Sequence, residues 1–304
     1  MITIQLSWLG SRKVGCSVAT AVPAHQLRCL NLGCGRRVRP GWQNVDAVAS
    51  APSVQKHNLL EGIPYPDNSF DVAYHSHLLE HFPRKDAPQF LKECHRVLAS
   101  GGILRVVVPD LENIVRNYLR ALEFAKRGKA GWNANYDWMV LELYDQAVRS
   151  ESGGGWNAYL CQDPLPNWEF VQQRTGVEAR EMLAVVRSQR ATGGLRKPSL
   201  PSKLHFAFTH FPRVLKNKWT HVLLSKADYD ALQLGRFRRG GEIHQWMYDS
   251  YSLARLLREA GFQDPRKMSA TQSAIPNWPS HCLDNEPDGS ICKPDSLFME
   301  ARKP

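Results

Sequence analysis

At 304 residues, with 43% hydrophobic and 22% charged side chains, the chain can bury a full core and has the composition of a soluble globular protein, as one large domain or one carrying a long insertion. No apolar run reaches the length of a membrane span. Seven cysteines, an odd number without any C-x-x-C pair, argue against a disulfide framework or a zinc site, so no metal is expected and a reducing cytoplasm is the default compartment. The net charge of +10 draws anionic partners at long range, but its dense patches at Arg36 to Arg39, Arg187 to Lys197 and Arg236 to Arg239 come with no nucleic-acid-binding module, and without one such patches are more often solvated surface.

Residues 1–26 contain a basic pair, Arg12-Lys13, and a short apolar run, without the ordered regions of a secretory signal; they read as an extension. A short apolar strand, Arg28 to Leu32, then runs into Gly33-Cys34-Gly35, and after a basic loop a second strand, Trp42 to Val45, delivers Asp46. Glycine at two alternate positions after a strand lets the backbone approach a ligand with no Cβ in the way. A carboxylate after the next strand can accept from both hydroxyls of a ribose. An ordinary glycine turn is the bland alternative. The third glycine of a dinucleotide fingerprint is missing, since Arg36 to Val38 stand in its place, which argues against NAD. The connection from Leu32 to Trp42 is also shorter than a crossover helix, which needs at least ~10 residues.

Further on, Val54 to Leu59 reads as a third strand, Pro64 to Ser69 as a turn, and Phe70 to Tyr74 as a buried parallel strand ending in His75-Ser76-His77. From Asp86 to Leu98 the apolar residues fall at helical spacing, with Asp86 as N-cap and Gly101-Gly102 as the stop. Ile103 to Val108 is a β-branched strand that ends at Pro109-Asp110, and Leu111 to Leu122 is an amphipathic helix. Strand, helix and strand at this spacing make a right-handed crossover of a parallel sheet, whose ligands lie beyond the carboxyl ends of the strands.

Asn31 to Gly35, Pro40 to Asp46, Asp67 to Val72 and Leu79-Glu80-His81 together resemble the S-adenosylmethionine-dependent methyltransferases of the Rossmann-like class, in particular the small-molecule branch known as type 11. The resemblance is good over residues 28–115 and partial over 242–303. It implies an α/β fold with a mostly parallel, seven-stranded sheet and an antiparallel edge pair, drawn here from Phe262 to Ala274 and Asp295 to Ala301. It implies S-adenosylmethionine as cofactor, with Asn31, Gly33, Cys34 and Gly35 at its methionine part and Asp46 on the ribose. Asn58 stands where relatives carry an acid toward the adenine amino group, and either its amide oxygen or the Leu59 backbone makes that contact, or Asn58 is a loop-starting turn residue; His75 is a cofactor-wall residue.

If the acceptor is a hydroxyl, a group must take its proton, and histidine titrates in the right range. His77 is the first candidate and His244 the second, each against a capping or packing role; Asp110 is a third, against capping of the helix that follows it. Residues 125–245 read as a mostly helical insertion that acts as a lid, between a core segment at 27–124 and its completion at 246–304. Gly240-Gly241 is its hinge, and its aromatics Trp132, Tyr136, Trp138, Tyr144 and Trp156 either line a pocket or form a core. The expected activity is methylation of a hydroxyl, less readily an amine, on a small polar molecule such as a saccharide or natural-product intermediate, with an anionic acceptor suggested by the charge. An RNA methyltransferase is disfavoured because the fourth strand lacks the Asn/Asp-Pro-Pro-Tyr/Phe motif; a non-catalytic scaffold is the other alternative.

Overall fold

The computed structural model describes residues 27–191, 220 and 223–304; the N-terminal extension, Gly193-Gly194 and most of the Arg187 to Lys197 patch lie outside them. One seven-stranded sheet organises the chain: β1 (Cys29–Leu32), β2 (Gln43–Asp46), β3 (Val54–Lys56), β4 (Phe70–Ser76), β5 (Leu98–Pro109), β6 (Gln263–Met268) and β7 (Ser296–Arg302), in the order β3-β2-β1-β4-β5-β7-β6. Strands β1 to β5 run parallel, while β7 is antiparallel to both of its neighbours. This is the expected Rossmann-like α/β sheet with its antiparallel edge pair. Among the described residues, no helix is long and apolar enough to cross a membrane.

The helices are α1 (Ala87–Val97), α2 (Leu111–Lys126), α3 (Trp132–Val148), α4 (Gly154–Leu160), α5 (Trp168–Ala191), α6 (Lys226–Arg238) and α7 (Ser250–Glu259). Strands β1 and β5 are buried on both faces and are mostly apolar, because different layers cover the two faces. One layer is α1 and α7, whose Phe90, Leu91, Cys94, Leu253 and Leu257 pack on Leu30, Ala73, Leu104 and Val106. The other is the long β6–β7 connection, which sets Ile275, Trp278 and Leu283 against Trp42, Val72, Tyr74 and Phe298. Helices α2 to α5 share a third core around Trp138, Met139, Trp156 and Leu160.

Several expected boundaries move. Strand β3 stops at Lys56 because the Asn58 side chain accepts from Leu60 N and starts a 3₁₀ turn, Leu59–Glu61. Asp86 makes no cap: it is itself in the right-handed helical region with no side-chain bond. Gly101-Gly102 do not stop α1, which ends at Val97; they belong to β5, where Gly101 N donates to Lys303 O and Gly102 O accepts from Lys303 N. The first crossover has no helix, and its loop is stapled instead by two buried asparagines. Asn31 Nδ2 donates to Arg37 O and to Asn44 Oδ1, and Asn44 Nδ2 donates to Arg39 O and Trp42 O. Of the insertion aromatics, Trp138 is core and Trp132 and Tyr136 pack against it, while Tyr144 is exposed. Trp156 is both core and cleft wall.

Candidate active site

Beyond the carboxyl ends of β1, β2 and β4 lies a cleft of about 480 Å³. At one end Gly33 N and Cys34 N both donate to Val45 O, so the glycine turn curls over β2. Gly33 has φ +63°, which favours glycine, and a Cβ there would press on the Leu78 side chain. Gly35 N donates to Asp46 Oδ2 and Val48 N to Asp46 Oδ1, each at 2.9 Å. Two backbone N–H groups thus aim the buried carboxylate while leaving lone pairs for a ligand. Cys34 lines the cleft, but burial pushes its thiol up to about 12, so it is a neutral wall and not a nucleophile.

Asn58 and Leu59 line a smaller adjoining cavity together with Gly33, Asp46, Leu78, His81 and Phe82. Asn58 spends its amide locally: Oδ1 accepts from Leu60 N and Nδ2 donates to Glu61 Oε1 at 2.8 Å.

The other end of the cleft holds the histidines. His77 sits at φ +49°, just past β4, with Nε2 2.8 Å from Ser296 Oγ and Nδ1 3.1 Å from Glu80 Oε1. The second contact is at ion-pair distance without hydrogen-bond alignment, and neither Glu80 oxygen has a hydrogen-bond partner although the residue is wholly buried. Burial first, and then the Lys293 ammonium nearby, hold the His77 imidazole neutral well below its ordinary pKa. His244 is lowered in the same way, by burial and then by His81 and His77. Glu242 accepts from Gly153 N and pairs with Arg149, so it and His244 both reach the cleft beside the helical layer.

Two expected site residues lie elsewhere. Tyr74 and Ser76 line the cleft, so strand alternation turns His75 to the opposite face, where it stacks edge-on against Phe90 of α1 with both ring nitrogens unpartnered. It does not line the cleft. Asp110 caps α2 by accepting from Asn113 N, and its other oxygen takes Lys267 Nζ at 2.8 Å; it does not line the cleft, and capping is its role here. Sequence reasoning missed Glu142, Arg149, Glu178, Lys293 and Asp295, all of them cleft walls. Burial, with Glu142 and Glu178 alongside, pushes the Asp295 carboxyl up to about 8. The last two stand in an aperiodic loop whose sequence carries no signal of its position.

Residues 42–106 match the family model described as Methyltransferase domain. This part of the chain is a methyltransferase domain. It includes β2 to β4, α1 and the start of β5, and so the Asp46 and His77 sides of the cleft. A probable methyltransferase, ltbC, of Aspergillus luteorubrus is 47% identical over 16% of this chain and 18% of its own length. A probable S-adenosylmethionine-dependent methyltransferase of Mycolicibacterium smegmatis is 40% identical over 18% and 21%. The chain thus matches only about a fifth of either relative's length. A solved S-adenosylmethionine-dependent methyltransferase of Archaeoglobus fulgidus is 12% identical over 91% of this chain and 86% of its own, with a TM-score of 0.36.

The methyltransferase domain fits S-adenosylmethionine on its own chemistry. The crossover that leads into it from β1 offers no helix N-terminus for a pyrophosphate, whereas the aimed Asp46 carboxylate beside the glycine turn suits an uncharged ribose.

Proposed function

We propose that the protein transfers the methyl group of S-adenosylmethionine to a hydroxyl of a small polar molecule, with His77 receiving the proton. One observation carries this reading: a single cleft runs from the Gly33 to Gly35 turn and Asp46 to His77 and His244. A donor held at the first end and an acceptor at the second meet within it, and methyl transfer from a sulfonium needs little more than such in-line placement. Asp46 would accept from the ribose hydroxyls, Asn31, Gly33, Cys34 and Gly35 would border the methionine part, and Asn58 with Leu59 would border the adenine. A neutral His77 has a lone pair to offer when the acceptor oxygen attacks. The helical insertion would close over the acceptor.

The walls qualify the acceptor. Of the acidic walls, Glu142 is paired to Arg174, Asp284 to Arg105 and Glu178 to Lys293, so the inner cleft carries little net charge, which favours a neutral polyol over the anionic molecule that the net charge alone suggests. Calorimetric titration with S-adenosylhomocysteine is expected to show micromolar binding that Asp46→Ala weakens by ~10-fold or more, about the cost of a charge-assisted hydrogen bond. His77→Ala should keep that binding and lose transfer to screened polyol and amine acceptors. Undiminished binding by Asp46→Ala, or full turnover by His77→Ala, would refute these assignments.

A further inference from the structure

Among the described residues, Glu80, His81 and His244 bring one donor atom each within 4.8 Å of one another. We propose that these three side chains bind a divalent first-row transition metal ion at the acceptor end of the cleft. The backbone holds them together from two sides. Gln245 N and Trp246 N both donate to Glu80 O, at 2.7 and 3.2 Å, and His244 N donates to Gln146 O. His81 and His244 are both cleft walls, which gives an ion a way in.

Three observations carry the site. Glu80 is 0% exposed and neither carboxylate oxygen has a hydrogen-bond partner; an ionised carboxylate so placed is costly, and a cation bound to it removes that cost. His81 Nδ1 donates to Ile243 O at 3.1 Å, which leaves Nε2 as the lone-pair nitrogen. Metal-ligating imidazoles are typically fixed in this way. Finally, two imidazoles and one carboxylate with open positions suit zinc, cobalt, iron or manganese and not calcium or magnesium, whose sites are built from oxygens. Ligands at about 2.1 Å from one ion lie roughly 3.0–3.4 Å apart, so side-chain rotation has to draw the set in. The two histidine rings now meet edge to face at 4.9 Å, an arrangement that such rotation would break.

The role of the ion, unlike its binding, rests on the transfer reading above. Bound to the acceptor hydroxyl, it would lower that group's pKa. The O–H bond breaks with its proton passing to His77, the oxygen bonds to the methyl carbon, and the C–S bond gives its electron pair to sulfur; the metal keeps its oxidation state.

The test uses the full chain, free of any tag and dialysed against chelator, titrated with cobalt(II) chloride while visible ligand-field absorption and heat are recorded. One cobalt per chain is expected. Glu80→Gln and His244→Asn should each weaken binding by more than the roughly 10–100-fold that loss of an outer partner costs, with thermal melting and S-adenosylhomocysteine binding preserved. His77→Ala should still bind cobalt. If Glu80→Gln does not fold, His244→Asn and His81→Asn carry the comparison. Absence of cobalt uptake by the wild-type chain, or equal uptake by the folded variants, overturns the site. A wild-type chain that takes up cobalt but does not bind S-adenosylhomocysteine would instead sink the transfer reading and leave the metal site standing.

Discussion

His75 shows how much a single buried side chain controls. Its ring is wholly buried with two unpartnered nitrogens, and burial lowers its pKa from 6.5 to about 3. The folded state therefore binds its proton later than the unfolded chain does. Stability that is fully present above pH 6.5 is lost as the pH falls toward 3, at about 1.4 kcal/mol per unit of pKa difference. His75→Leu removes that penalty and relieves two orphaned nitrogens, so it should unfold at lower pH than the wild type and gain about 1 kcal/mol at neutral pH. Acid titration followed by circular dichroism checks this; coincident acid midpoints would contradict it. The sequence disclosed that a histidine stood at the end of a strand, but not which way it faced. Facing depends on where the alternation of β4 is anchored, and Phe70 to Tyr74 is apolar at so many positions that either phase looks possible. Asp46 was legible because strand, glycine turn and carboxylate form one local pattern.

At the scale of elements, the crossover of β4, α1 and β5 was readable because an 11-residue helix with a clean apolar stripe separates two apolar runs. Its capping was not, since Asp86 competes with neighbours that sequence does not rank. One contact on strand β5 is invisible to periodicity. Arg105, 0% exposed, pairs with Asp284 at 2.7 Å and Glu300 at 2.6 Å and lies over the Trp278 ring at 4.5 Å. Tyr74 Oη donates to Asp284 Oδ1 at 2.6 Å. This network fastens the β6–β7 connection to the sheet. Arg105→Met would leave two buried carboxylates without their cation and should cost about 3–5 kcal/mol. Adding Asp284→Asn and Glu300→Gln should return part of that loss. Chemical denaturation of the single and triple variants measures both, and a single variant as stable as the wild type would show that the network contributes nothing.

For the molecule as a whole, the seven-stranded sheet with its antiparallel edge pair was legible through the family resemblance, while the strand order and the makeup of the cleft were not. Its walls come from β1, α3, α5 and the loop before β7, parts far apart in the chain whose approach depends on tertiary packing. One join shows this. Helix α5 bends at Gly176, which has φ +61°, and Val177 N and Glu178 N donate to Ile291 O and Cys292 O. A Cβ at Gly176 would lie 2.5 Å from both Ile291 O and Pro294 Cδ. Gly176→Ala should therefore cost about 1–3 kcal/mol and loosen residues 284–295 from the helical layer. Hydrogen exchange should rise across that loop while β1 to β4 stay protected; unchanged exchange there would mean that the join bears no strain.

Strand β7 fills the slot between β5 and β6, and β6 has β7 as its partner in the sheet. On a ribosome, where the chain emerges from its N-terminal end, the glycine turn, Asp46, His77 and His244 are made before residue 296. Until then β5 presents an unpaired edge and β6 has no sheet to join, with Asp284, Lys293 and Asp295 unanchored beside them. The glycine turn and Asp46 can thus take shape early during synthesis, while the wall that carries Asp284, Lys293 and Asp295 is fixed in place only once β7 has paired with β5 and β6.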